Sequence, residues 1–326
     1  MRLLTNTNIP FIGMRKIAYA ISIIVILASL FGLFVRGLNW SIDFTSGVAA
    51  KVDLKAADAT VAPVKIDDLR NVLKVNGYPE AEIQHVGQVE ESTFMIKIKS
   101  RQSDDDVSAD TKTQIIDLIN DNFPEHVAGR DLNRDVIAEI YEVGPKVGGE
   151  LRTNALLAIG ISLVLMIIYI WFRFELIFGL MAIVALAHDV LVMIGVFALT
   201  GKEITIQIIA AMLTIVGYSI NDTIVIFDRV REDLKIRRKD PLDIIINDAI
   251  NKTLSRTIIT SGTTFITTLS LYLFGGQVLN DFALAMCIGV IAGTYSTIFV
   301  ASSLIVDFTK ATHKEKQTAQ HLTRRK

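Results

Sequence analysis

The chain has 326 residues, of which 51% are hydrophobic and 21% are charged. A soluble chain of this length would normally be more polar, so the composition favours a membrane protein. The formal net charge of −1 gives no sign of a nucleic-acid partner, and the single cysteine, Cys287, excludes both an intrachain disulfide and a thiolate metal cluster.

Six apolar stretches are long enough to cross a hydrocarbon core of about 30 Å, which takes roughly 20 helical residues. They are residues 17–35, 154–172, 176–199, 204–227, 257–274 and 282–308. The first stretch is longer than the apolar region of a typical signal peptide, and it lacks a small-x-small cleavage site before Arg36. The sequence therefore predicts six transmembrane helices, of which the first is an uncleaved anchor.

The positions of Lys and Arg predict the orientation, because these residues accumulate near span ends on the cytoplasmic side. The basic residues that share one side are Arg15, Lys16, Arg173, Arg229, Arg231, Lys235, Arg237, Arg238, Lys239, Lys310, Lys314, Arg324, Arg325 and Lys326. The short loops on the opposite side contain only Lys202. We therefore expect residues 1–16, 228–256 and 309–326 in the cytoplasm and residues 36–146, called the outer domain below, in the periplasm.

The outer domain alternates strand-like and helix-like patterns. Strands are predicted at residues 41–54, 81–89, 92–99 and 135–141, and helices at residues 64–75 and 111–120. This β-α-β-β-α-β order predicts a small ferredoxin-like α+β domain. His85 and His126 are isolated in the sequence, so we expect them at the surface and not as metal ligands. The domain has no nucleophile–base pair and no phosphate loop in its sequence, which favours binding or docking over catalysis.

The fourth predicted span contains Ser219, Asn221 and Asp222 within its apolar length. A carboxylate at the centre of a membrane helix costs roughly 2.5–3.5 kcal/mol on insertion scales, so Asp222 is expected to face protein or water and to have a function. Arg256 opens the fifth span from the same side, and its long side chain can reach inward. Because helix movement would change the surroundings of the Asp222 carboxyl, these residues predict a proton relay.

The fifth span has hydroxyl side chains at three- and four-residue spacing. These residues are Thr260, Thr263, Thr264, Thr267 and Ser270. Such a face suits either a hydrated passage or helix–helix hydrogen bonds, and the sequence leaves both open.

Polar or small residues also occur in the third and sixth spans. His188 and Asp189 are either part of the relay or ordinary interhelical hydrogen-bonding residues, and the sequence does not decide between these roles. Gly289 and Gly293 have small-xxx-small spacing in the sixth span. This spacing predicts that one face of that helix packs tightly.

Four segments resemble signatures of the SecD/SecF family of the RND superfamily. They are residues 41–47 (SIDFTSG), 143–151 (VGPKVGGEL), 218–232 (YSINDTIVIFDRVRE) and 251–264 (NKTLSRTIITSGTT). The first segment has Ser41 and Ser46 where the family usually has glycine. The resemblance covers nearly the whole chain, and its last two segments are long and specific.

The resemblance implies a non-enzymatic, proton-driven subunit of the bacterial Sec preprotein translocase in the inner membrane. The implied partners are SecD, YajC, the SecYEG channel, translocating preproteins and membrane lipids, with no cofactor and with H⁺ or Na⁺ as the coupling ion. In that family, an aspartate of the fourth span and an arginine of the fifth take part in proton conduction. The matching positions here are Asp222 and Arg256, the two residues selected above on physical grounds.

Two other interpretations of the sequence remain open. In the first, the chain is half of an RND-type exporter of lipids or small molecules, which would share the carboxylate within the membrane but normally has larger outer domains than this one. In a passive scaffold, Asp222 and Arg256 would form a static ion pair.

Overall fold

The computed structural model describes residues 7–56, 58, 60–87, 91–99, 107–174 and 176–311. The helices are α1 (Arg15–Val35), α2 (Ile42–Thr45), α3 (Ile66–Val75), α4 (Val107–Asn122), α5 (Pro124–Val127), α6 (Pro145–Arg173), α7 (Leu176–Thr200), α8 (Ile206–Ile236), α9 (Leu242–Phe274) and α10 (Gly276–Tyr295). The strands are β1 (Asn39–Trp40), β2 (Gly47–Asp53), β3 (Glu82–His85), β4 (Thr93–Lys99), β5 (Ile137–Val143) and β6 (Glu203–Ile204). This description leaves out residues 1–6 of the predicted N-terminus, residues 88–89 of a predicted strand and residues 312–326 of the predicted tail.

Within the described part of the chain, six helices are long and apolar enough to cross a membrane: α1, α6, α7, α8, α9 and the helix that begins with α10. Each overlaps one of the predicted spans. The last helix runs from Gly276 to Ala311, and it includes a π-helical segment at Ser296–Ala301. Such segments often occur at functional sites. This one begins with Ser296, which lies beside a buried acid described below.

Both helices that flank the predicted cytoplasmic loop extend far into it, so only residues 237–241 separate α8 from α9. Charged residues continue a helix readily in water when oppositely charged side chains lie three or four residues apart. Arg229 and Asp233 form such a pair at 3.2 Å, and Lys252 of α9 reaches the same Asp233 at 2.7 Å. These contacts hold the two extensions together.

The outer domain is a four-stranded antiparallel sheet in the order β3-β4-β2-β5. Alternate residues of β4, such as Phe94 and Ile96, are buried, and they share one apolar core with Leu69 of α3 and Ile115 of α4. The chain order β2-α3-β3-β4-α4-β5 agrees with the predicted β-α-β-β-α-β order.

The predicted strand at residues 41–54 was wrong in its first half. Asn39–Trp40 pairs in parallel with β6, and the chain then forms the short helix α2, where the Ser41 hydroxyl accepts a hydrogen bond from the Asp43 amide at 3.1 Å. Ser46 follows with a φ of +94°, which redirects the chain into β2. The Ser41 side chain thus competes with strand pairing by capping a helical turn.

The expected surface position of His85 was also wrong. Successive strand residues point to opposite faces, so His85 shares the buried face of β3 with Ile83. Its ring lies 4.6 Å from the ring of Phe94, measured between centroids. His126 is partly exposed, and its Nε2 lies 3.1 Å from the carbonyl oxygen of Ala62.

Small residues bring the membrane-length helices close together. A Cβ on Gly289 of α10 would lie 2.4 Å from the Ile215 side chain of α8, and a Cβ on Gly293 would lie 3.0 Å from Ser219. The tight packing predicted from the spacing of the two glycines is therefore confirmed. This contact places Ser219 in the interior between α8 and α10.

Candidate functional site

Two aspartates are buried within the predicted membrane spans. The exposed fraction is 3% for Asp222 of α8 and 1% for Asp189 of α7. Each carboxyl group is surrounded by hydroxyl side chains from neighbouring helices, as expected for polar groups removed from water.

The Asp189 carboxyl accepts hydrogen bonds from two other helices. The Ser219 hydroxyl of α8 donates to Oδ2 at 2.7 Å, and the Ser296 hydroxyl donates to the same oxygen at 2.8 Å. The Nδ1 of His188 lies 3.1 Å from the other oxygen, Oδ1. All four side chains are buried, so this cluster, called the Asp189 cluster below, joins α7, α8 and the last helix in the protein interior.

The Asp189 cluster is linked to α1 through Tyr295. The Tyr295 ring stacks on His188 with centroids 6.0 Å apart, and its hydroxyl donates to the carbonyl oxygen of Ala18 at 2.6 Å. Among the described residues, the Nε2 of His188 is buried without a hydrogen-bond partner. The packing of α1 therefore affects the surroundings of His188.

The Asp222 carboxyl is held by α9. The Ser261 hydroxyl donates to Oδ2 at 3.2 Å, and the Thr260 hydroxyl makes a longer contact of 3.5 Å with Oδ1. Ser261 in turn accepts a hydrogen bond from Thr294 of α10 at 2.8 Å. These bonds are fewer and longer than those of Asp189, so the Asp222 carboxyl is less firmly fixed.

Arg256 lies one turn before Thr260 on α9 and is exposed. Among the ion pairs formed by the described residues, none joins Arg256 to Asp222 within 4.0 Å. The two helices do bring these residues to neighbouring turns, because the Thr260 hydroxyl also lies 3.1 Å from the Arg256 carbonyl oxygen. A permanent Asp222–Arg256 ion pair, which the scaffold interpretation requires, is not the arrangement observed.

The other predicted polar residues are divided between several environments. Ser219 contacts Asp189, although it lies only three residues from Asp222, and Asn221 is exposed. Thr263 and Thr267 are also exposed, and their hydroxyls donate to helix carbonyls of Ile259 at 2.8 Å and Thr263 at 2.9 Å. Thr264 is partly buried, whereas Ser270 is exposed. Within the predicted hydroxyl stripe, Thr260 is the residue whose hydroxyl contacts a buried carboxyl group, that of Asp222.

Sequence reasoning missed the partners that complete both acid sites, namely Ser261, Thr294, Tyr295 and Ser296. Ser261 is adjacent to the predicted Thr260 and lies three residues before Thr264, so its spacing was a signal that could have found it. Within the described residues, no group of three or more His, Cys, Asp or Glu side chains is arranged to hold a metal ion.

A charged cluster at the junction between the outer domain and α8 was also missed. Glu203 of β6 is 4% exposed, and its carboxyl lies 3.2 Å from Lys97 and 3.5 Å from Lys99, both on β4. Burial and the neighbouring Glu82 carboxyl raise the pKa of Glu203 to about 8. The sequence separation of about a hundred residues gives no signal for this contact.

These elements define a multi-pass membrane protein. It has buried carboxyl groups between its helices and a small α+β domain between its first two long helices. The model of the family described as "Protein export membrane protein SecD/SecF, C-terminal" matches residues 127–311, and that of the "SecD/SecF GG Motif" matches residues 31–48.

Curated relatives that match nearly the full length of this chain are also SecF proteins. A protein translocase subunit SecF from Desulfurispirillum indicum is 42% identical over 301 residues, which cover 91% of each chain. Another SecF, from Vibrio alginolyticus, is 40% identical over 91% of this chain and 89% of the relative. This chain belongs to the SecF family of protein translocase subunits.

A similar solved structure is that of SecDF from Thermus thermophilus, described as a translocon-associated membrane protein. It superposes with a TM-score of 0.76 at 36% sequence identity, over 94% of this chain. The chain spans only 39% of the length of that SecDF chain.

Proposed function

We propose that the chain is an accessory, non-enzymatic subunit of the bacterial Sec preprotein translocase in the inner membrane. It works with SecD and uses the proton motive force to promote the late stage of translocation. The SecDF relative supports SecD as the partner, because in that protein the matching region is part of one longer chain. The proposed contacts with YajC, SecYEG and the preprotein rest on the resemblance of the four signature segments.

The buried Asp222 carboxyl is the observation that carries the proposal. A hydroxyl group donates to an ionised carboxylate and accepts from a protonated one, so Ser261 and Thr260 accommodate both states of Asp222. Among the ion pairs formed by the described residues, none within 4.0 Å involves this carboxyl, and the charge of Arg256 acts on it from a greater distance. Moving one charge through the membrane potential yields about 2.3 kcal/mol per 100 mV, so a few protons provide ample work.

Arg256 supplies a transient positive charge in this proposal. Its exposed side chain lies one turn from Thr260, and a shift of α9 along α8 brings the guanidinium toward Asp222. The charge of Arg256 then favours release of the proton from Asp222. The Lys and Arg distribution supports cytoplasmic termini and a periplasmic outer domain, and thus proton entry from the outer side.

The substitution Asp222→Asn tests the proposal in proteoliposomes that contain the chain and a SecD-like partner. We expect loss of dye-detected proton flux under a pH gradient, and loss of stimulated preprotein export in vesicles, with copurification of the partner unchanged. The matched control is Asp228→Asn on the same helix, whose partly exposed carboxylate pairs with Arg173 at 2.7 Å. This control is expected to retain flux.

Other outcomes distinguish the remaining interpretations. Normal export by a correctly assembled Asp222→Asn variant favours a scaffold. Flux that follows a sodium gradient and not a pH gradient identifies Na⁺ as the coupling ion. Failure to copurify with a SecD-like partner favours the exporter.

A further inference from the structure

A cavity of about 320 Å³ lies where α8 leaves its apolar segment, beside the turn between α6 and α7. Its apolar wall consists of Phe174, Phe178, Phe227 and Leu234. The aromatic rings pack edge to face, with centroids of Phe178 and Phe227 5.3 Å apart. The wall is therefore a preformed surface and does not depend on a ligand for its shape.

Three cations also line this cavity: Arg231, Lys235 and Arg238. Arg231 and Lys235 are four residues apart and lie on one face of α8, whereas Arg238 lies in the turn that follows the helix. The guanidinium of Arg231 donates to the carbonyl oxygen of Arg173 at 3.3 Å, and the Nε of Arg238 donates to that of Lys235 at 3.3 Å. Carbonyl contacts orient these side chains but leave their charge uncompensated.

Two neighbouring cations, Arg229 and Arg237, are neutralised. Arg229 pairs with Glu232 and Asp233, and Arg237 pairs with Asp240 and Asp248, at distances between 2.5 and 3.2 Å. Among the described residues, no carboxylate pairs with any of the three cations that line the cavity. Glu175, which follows Phe174 in the sequence, lies outside the described residues, and one carboxylate would still leave two positive charges in excess.

The rim of the cavity is apolar on the side of the α6–α7 turn. Phe172 is 85% exposed and Leu176 is 67% exposed, next to the aromatic wall. The predicted fourth span ends at residue 227, so the cavity lies at the depth where membrane hydrocarbon meets the headgroup layer. A ligand that fits this cavity has a negative head and an apolar tail.

We propose that this cavity binds an anionic phospholipid, with its phosphate between Arg231, Lys235 and Arg238 and its acyl chain against the aromatic wall. Basic pockets beside membrane helices suit acidic headgroups because Lys and Arg neutralise the phosphate at the membrane surface. Arg229 and Arg237 are held in ion pairs and are not available for this role. The proposal is independent of proton transfer at Asp222.

The test is binding of phosphatidylglycerol to the full chain in detergent, measured by native mass spectrometry and compared with phosphatidylcholine. We expect wild-type protein to prefer phosphatidylglycerol. The triple variant R231Q/K235Q/R238Q should bind it on the order of 100-fold more weakly, because each Lys or Arg near an anionic lipid contributes roughly fivefold.

A matched control removes the same charge elsewhere. The variant K16Q/R237Q/K310Q should keep the affinity of the wild type, and thermal unfolding checks that both triple variants are folded. Equal binding of the two lipids by the wild-type protein overturns the proposal without any variant. So does equal loss of binding in both triple variants. Displacement of the lipid by millimolar inorganic phosphate identifies a site for free phosphate and likewise overturns the lipid assignment.

Discussion

The substitution Gly195→Ala tests how closely α1 and α7 must approach each other. A Cβ at this position would lie 2.0 Å from the Ser29 Oγ and 2.5 Å from the Ser29 Cα. Carbon atoms in good contact lie about 3.5–4.0 Å apart. Rotation of the serine side chain relieves the first clash but moves neither the Ser29 Cβ, which lies 2.1 Å away, nor the Cα. The two helices must therefore separate by about 1.5 Å.

The separation is expected to destabilise the folded chain by about 1–2 kcal/mol. Overpacking of an interior typically costs about 1–3 kcal/mol, and the better helix propensity of alanine offsets up to about 1 kcal/mol of this. Since α1 carries the Ala18 carbonyl that holds Tyr295, the effect should extend to the stacking of Tyr295 on His188.

Thermal unfolding can be followed in detergent with a thiol-reactive fluorogenic dye, because the single cysteine, Cys287, is buried in the folded protein. Gly160→Ala in α6 is the matched control, since no atom lies within 4 Å of the added Cβ. We expect Gly195→Ala to unfold at a lower temperature than the wild type and Gly160→Ala to unfold at the same or a higher temperature. Equal midpoints for the two variants would refute the packing argument.

Two further predictions concern buried carboxyl groups. Folding stability should fall as the pH rises from about 4.5 to 8, because burial and the nearby Glu82 raise the pKa of Glu203 from 4.5 to about 8 in the folded chain. Between these pH values the folded chain retains a proton that the unfolded chain has lost. The variant Glu203→Gln should remove this dependence of stability on pH in thermal unfolding scans. If the dependence persists in the variant, Glu203 is not its source. The variant Asp189→Asn should lower the unfolding temperature more than Asp222→Asn does. The reason is that Asp189 accepts the shorter hydrogen bonds, from Ser219 and Ser296. Hydrogen bonds to charged groups contribute about 1.5–3 kcal/mol. A smaller effect for Asp189→Asn would contradict this ranking.

The membrane-length helices could be predicted because their apolar length is a local property of the sequence. Their extensions could not, since the charged residues that continue α8 to Ile236 are equally compatible with a loop. Ser41 shows a similar limit: its neighbours Ile42 and Phe44 alternate like a strand, but its side chain caps the helix α2. Local competition between side chain and backbone decided this segment.

Asp222 could be predicted as a candidate because a carboxylate within an apolar span is exceptional whatever it contacts. Its partners depend on which faces of α8, α9 and α10 meet, and that is a property of packing. Ser219 illustrates this, because it lies three residues from Asp222 in the sequence but contacts Asp189 through the close approach of α8 to Gly293. The lysines that reach Glu203 come from a different domain and had no sequence signal.

The two acids differ in the way that a moving proton site and a fixed contact should differ. Asp189 is bound on both carboxyl oxygens by three side chains from three segments, whereas Asp222 is bound through two longer contacts from α9 alone. Since Ser219 and Asp222 lie within one turn of α8, a displacement of that helix changes both sites at once. The bond between Ser219 and Asp189 opposes such a displacement, and the work released by a proton at Asp222 must exceed that opposition. Under the function proposed above, the Asp189 cluster sets the resting position of α8, and Asp222 is the group whose charge moves it.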